Sequence, residues 1–134
     1  MLILNPDTVR FGGDLWPHVS SVVIDRAATR LVDDRTDTGP FSTFVDAPEQ
    51  RITIRIVQEL EATDVPGPTL AAAGEFEVLV SPNRSDAQRV RIRTQAVISD
   101  LRTDLRKPAS AARTITLIAL SVDGKTDPIQ IDPV

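Results

Sequence analysis

Apolar and polar residues alternate along three long stretches of this chain. Residues 51–60 read RITIRIVQEL, residues 89–99 read RVRIRTQAVIS and residues 113–122 read RTITLIALSV. A period of two marks a β-strand with one face buried and the other more polar. At roughly 3.3 Å per residue, runs of about ten residues span some 30 Å, well beyond the usual strand of about 5–6 residues. Long regular strands without catalytic side chains point to a protein that builds a surface.

Shorter strands surround these three. Met1 to Leu4 ends at Asn5-Pro6, where proline removes a ladder donor. Thr8 to Phe11 is turned by Gly12-Gly13-Asp14, and Val19 to Arg26 is rich in β-branched residues. Glu75 to Val80 sets Phe76, Val78 and Val80 on one face. The segment 81–88, SPNRSDAQ, is turn chemistry throughout. A hairpin centred near Arg84 places Glu75 opposite Arg93 and Glu77 opposite Arg91, pairs worth roughly 0.2–1 kcal/mol each that help fix the register.

Residues 100–112 read as an exposed connection. Asp123-Gly124 is a two-residue hairpin signal that returns the chain to a last strand at Ile129 to Ile131. One short helix is expected where Pro66-Gly67-Pro68 leads into Leu70-Ala-Ala-Ala73, before Gly74 stops it. Residues 27–50 read as a long charged loop, with Asp33, Asp34, Arg35 and Asp37 followed by Gly39-Pro40 and two phenylalanines, Phe41 and Phe44. Loops of this length inside a compact domain are usually functional or disordered. Its phenylalanines either dock on another molecule or fold back on their own domain. The run 115–120 is apolar on both faces, so its second face needs a cover, either the short helix or a neighbouring subunit. The sum is a mostly β, antiparallel, single domain over 1–134, a β-sandwich or partly open barrel with one short helix.

Composition narrows the chemistry. The chain has 134 residues, net charge -4, 4% aromatics and no cysteine, which excludes disulfides and thiolate metal sites. The acidic balance argues against a tight nucleic-acid grip, which needs a basic footprint. The amino terminus lacks the basic leader of a signal peptide, and no apolar run reaches the ~20 residues of a membrane helix. His18 is the one histidine and follows Trp16-Pro17 in a turn, with no evident triad partner. Asp33, Asp34 and Asp37 lack the ligand rhythm of a calcium loop. Glu59 and Glu61 share a strand face, but nothing in the sequence marks a pocket around them. No cofactor, metal or catalytic residue is expected, and the protein reads as a non-enzyme.

The chain resembles the tail tube proteins of tailed bacteriophages and gene-transfer particles. The likeness lies in a short, cysteine-free acidic chain and a strand at Val19 to Arg26 that passes through a long charged segment. It extends to Val45-Asp-Ala-Pro-Glu-Gln-Arg51, which introduces Arg51-Ile-Thr-Ile-Arg-Ile, and to Arg113-Thr-Ile-Thr-Leu, which ends near Asp123-Gly124-Lys-Thr-Asp-Pro128. The resemblance implies hexameric rings that pair sheets between subunits and stack into a hollow tube in the virion tail, after synthesis in the bacterial cytoplasm. Partners are then other copies and other tail proteins, and double-stranded DNA passes without specific binding. It also implies that 27–50 is the inter-ring loop, with Asp33, Asp34, Arg35, Phe41 and Phe44 in contact. Arg55, Glu59, Glu75, Glu77, Arg91 and Arg93 become channel-wall or cross-strand residues. Baseplate and tail-terminator proteins share related folds. The rival expectation is a monomeric β-sandwich binding module, for attachment or carbohydrate, that uses Trp16 and Phe41 as stacking groups.

Overall fold

The computed structural model describes residues 1–4, 6–35, 39–61, 67–81, 89–106 and 110–134, and of Arg35, Glu61, Arg106 and Ser110 the backbone alone. Nine strands form one antiparallel sheet that is not closed into a barrel. They are β1 (Leu2–Leu4), β2 (Thr8–Phe11), β3 (Asp14–Leu15), β4 (Val19–Arg35), β5 (Ser42–Glu61), β6 (Ala73–Val80), β7 (Val90–Arg106), β8 (Ser110–Ala119) and β9 (Gln130–Pro133). The order is β1-β4-β5-β8-β7-β6-β2-β3, with β9 paired to β7.

Alternation decides the core. Val22 and Ile24 of β4, Ile54 and Ile56 of β5, Ile115 and Leu117 of β8, Ile98 of β7 and Phe76 and Val78 of β6 all point to one face and are buried. They join Ile3, Val9, Phe11 and Trp16 in a single cluster. Strands from both ends of the sheet contribute to it, so the sheet curls around one core.

Several sequence expectations are corrected. The segment 27–50 is not a loop. Its two halves belong to β4 and β5 and pair with each other, from Ala27↔Arg51 out to Arg35↔Ser42. Asp37 lies outside the described residues. The exposed connection at 100–112 is also strand, since β7 runs to Arg106 and β8 starts at Ser110, paired from Leu101↔Ile115 to Arg106↔Ser110. A register shift between Ile98 and Asp100 inserts Ser99 and reverses the parity of the side chains beyond it.

The expected helix is absent among the described residues. Leu70 and Ala71 form a turn in which Ala71 has φ 65°, a conformation no right-handed helix accepts. Its backbone is held by β7, through Ala71 N–H to Ile98 O (2.9 Å) and Ile98 N–H to Ala72 O (3.0 Å). Residues 62–66, the other part of the expected helical segment, and most of the turn at 81–88 lie outside the described residues.

The β6–β7 register differs from expectation by two residues. Glu77 sits opposite Arg93 and Glu75 opposite Gln95, so every side chain keeps its expected face. The Glu77–Arg91 attraction survives diagonally, with Arg91 Nε 3.4 Å from Glu77 Oε1, while Arg93 turns to Asp132 at 2.9 Å.

Asp123-Gly124 does not close a β8–β9 hairpin, because β9 pairs with β7. It organises a local turn instead. The Asp123 carboxylate accepts the backbone N–H groups of Thr126 and Lys125 (both 2.8 Å), then the hydroxyls of Thr126 (2.7 Å) and Ser121 (3.0 Å). These bonds favour the charged form and hold its pKa well below the ordinary 3.8. A folded-state pKa below the unfolded one adds stability that is present above the unfolded value and lost as pH falls through the folded one. Asp123→Ala therefore lowers the urea midpoint at neutral pH, and its gap from the parent narrows in strong acid. A gap of constant size across that range would contradict this role.

Candidate functional site

Beyond the core, β4 and β5 continue as a two-stranded arm. On β4, β1 pairs with Leu2↔Val23 through Leu4↔Ser21. On β5, β8 reaches no further than Thr53↔Ile118. From Ala27 and Arg51 outward the two strands pair only with each other among the described residues. About nine residue pairs at roughly 3.3 Å give an arm some 25–30 Å long. Register shifts between Ala28 and Arg30, Arg30 and Val32, and Asp34 and Arg35 twist it and break up its edges.

This arm buries almost nothing of its own. Leu31, Val32, Phe41, Phe44 and Val45 are all exposed, Phe41 at 82% and Phe44 at 57%. Val32 and Phe44 share one face with Asp34 and Asp46, and Val45 shares the other with Asp33, as the pairs Val32↔Asp46, Asp34↔Phe44 and Asp33↔Val45 require. Each face thus mixes large apolar groups with carboxylates. Within the arm, Arg30 and Glu49 approach to 3.8 Å with both side chains exposed, a contact of little energetic weight. An isolated two-stranded hairpin is marginal in water.

The remaining candidates lie on the outward face of the sheet. Arg55 and Glu59 of β5 stand beside Thr116 and Ala112 of β8, and Arg55 lies opposite Val23 of β4. Glu75 and Glu77 on β6 and Arg91 and Arg93 on β7 form a separate patch further along the same sheet, closed by Asp132. Beyond its bulge β7 adds Asp100, Arg102 and Asp104, opposite Thr116, Thr114 and Ala112. Across β4, β5, β8 and β7 the outward face therefore carries Asp25, Glu59, Asp100 and Asp104 against Arg51, Arg55, Arg91, Arg93 and Arg102. Its charge is mixed. Among the described residues no group of three or more metal-ligating side chains gathers around Asp33 and Asp34, and Asp37 lies outside them.

Two long strand edges are open. β6 covers β7 only over Val90–Val97, and Ala71 and Ala72 cover Ile98. Asp100 to Arg106 has no neighbour on that side among the described residues. On the far side of the sheet, β4 has no second neighbouring strand from Asp25 onward among the described residues. Three successive antiparallel pairings separate the two strands, so β4 and β7 run in opposite directions.

A cavity of about 680 Å³ lies at the other end of β5, where no local sequence pattern marks it. Leu15, Trp16, Pro17, Leu60 and Pro68 line it, with His18, Gln58 and Arg113. Gln58 and Arg113 are a direct cross-strand pair, and both are buried. Gln58 Nε2 donates to Pro17 O at 2.8 Å, and an added Cβ on Gly67 would collide with the Arg113 guanidinium. Trp16 is 9% exposed and packs against Phe11 with ring centroids 5.2 Å apart. It is a wall of this cavity, not the exposed stacking platform that the binding-module expectation needs. Arg113 escaped notice because an arginine at the start of an apolar run reads as an exposed strand end.

No protein-family model matches this chain, and no curated protein is significantly similar to it. Its surfaces carry the functional reading.

Proposed function

We propose that this chain is a non-enzymatic structural protein that assembles with copies of itself into stacked hexameric rings, as the tail tube of a phage-like particle. The projecting arm carries the reading. An ordered hairpin with large apolar side chains on both faces has no stable use in an isolated molecule and a clear one in an assembly.

The open edges support the same conclusion. Because β4 and β7 run antiparallel, the β4 of a neighbouring copy can continue the ladder from β7 without a change of strand sense. Such a contact is head-to-tail and closes into a ring when the rotation per copy divides a full turn. The open part of β4 lies towards the arm and that of β7 towards the opposite end. Pairing them staggers neighbours along the strands, as a closed barrel of tilted strands requires. Closure would also remove edges that otherwise invite uncontrolled pairing. The curled sheet then serves as the sandwich or partly open barrel of each subunit.

In this arrangement the outward faces of β5 and β8 contribute to the inner wall. On a chain of net charge -4 a wall of mixed charge, with alanine and threonine between the charges, offers phosphate no basic footprint, so DNA slides past without adhering. Light scattering across a concentration series tests the proposal. The mass is expected to climb from that of one chain to rings and then to much larger particles. A mass that stays at one chain throughout overturns it.

A further inference from the structure

The arm tip and the cavity occupy opposite ends of the same strand. β5 begins at Ser42, next to Phe41, and reaches the cavity at Gln58 and Leu60. Sixteen or more residues at roughly 3.3 Å place the two about 50 Å apart along the strand. The ladder between them is continuous from Val19↔Gln58 to Arg35↔Ser42. Phe41 therefore cannot fold back into the cavity of its own chain.

We infer that the Pro40–Phe41 tip of one copy seats in the cavity of the next copy along the tube axis. This contact presupposes the stacked rings proposed above and names the surfaces that join them. The fit is chemical as well as positional. Phe41 is the most exposed phenylalanine of the chain, and an aromatic ring gains from burial against apolar walls. At about 680 Å³ the cavity falls in the range that encloses drug-sized ligands, ample for a proline and a phenyl ring. Leu15, Trp16, Pro17, Leu60 and Pro68 supply apolar walls. A projection at one end and a recess at the other form a head-to-tail contact that does not close on itself. Repetition extends it into a filament of rings.

The absence of cysteine makes the test direct. Phe41→Cys and Leu15→Cys proteins are mixed, assembled and mildly oxidised. A disulfide between the two variants is expected, in excess of either homodisulfide. Phe41→Ala should keep the circular dichroism of the parent, since the side chain touches no core, while the concentration needed for stacking rises roughly ten- to a hundredfold. Rings that form but fail to stack would fit the same contact. If the parent builds tubes, yet the mixed disulfide is missing and Phe41→Ala stacks like the parent, this contact is wrong and the tube reading stands. If the parent never assembles, both fall.

Discussion

Replacing residues 33–44 with a short turn is expected to leave a folded protein that no longer assembles. None of the buried cluster residues comes from that segment, and its large apolar side chains are already in contact with water. Removing them therefore forfeits little of the hydrophobic stabilisation of the fold. Surface changes of this kind usually alter stability within about 0.5 kcal/mol, and trimming an exposed hairpin stays close to that range. The cost falls on the contacts between molecules. With Phe41, Phe44 and three aspartates gone, the stacking surface is missing and tubes are expected to vanish at any accessible concentration. Circular dichroism with a thermal melt reads the first half of this result, and sedimentation velocity the second. Normal polymerisation by the shortened chain would contradict the role given to the arm.

Phe76→Ala is expected to do the reverse, destabilising the domain and leaving the arm sequence untouched. Phe76 is fully buried and lies between Phe11 of β2 and Thr94 of β7. It is the largest of the fully buried side chains in a core that is otherwise mostly Val, Ile and Leu, so no neighbour can expand to fill its space. Truncations of this type cost about 3–5 kcal/mol, a large part of a total stability of roughly 5–15 kcal/mol. At a few degrees per kcal/mol for a domain of this size, the melting midpoint should fall by about 10–20 °C. A shift of only a degree or two would mean that the strands around Phe76 do not enclose it as described.

The contrast between these variants mirrors what was legible in the sequence. Alternation revealed the strands whose inner face is buried, including Ile54, Ile56, Ile115 and Leu117, because burial imposes the period. It could not reveal the arm. Residues 27–50 have no buried face, so no pressure separates apolar from polar positions, and charge plus Gly39-Pro40 read as a loop. Beyond Ser99 a bulge inverts the parity, which hid the second half of β7 although Leu101 and Leu105 retain the spacing of a strand. The β6–β7 register slipped by two because opposite charges attract across a diagonal almost as well as directly, as Arg91 and Glu77 do. The alanines at 71–73 favour a helix only in isolation, and the edge of β7 recruits their backbone instead. The cavity was invisible for a different reason. Its walls come from β3, the segment before β4, β5, β8 and the turn before β6, and no local pattern brings Leu15, Leu60 and Pro68 together.

Negative-stain electron microscopy of the purified chain at rising concentration tests the central claim most directly. Six-fold rings at intermediate concentration and hollow tubes of uniform diameter above it are the expected images. Fields that hold only single small particles, at concentrations where the protein remains soluble and folded, would contradict it.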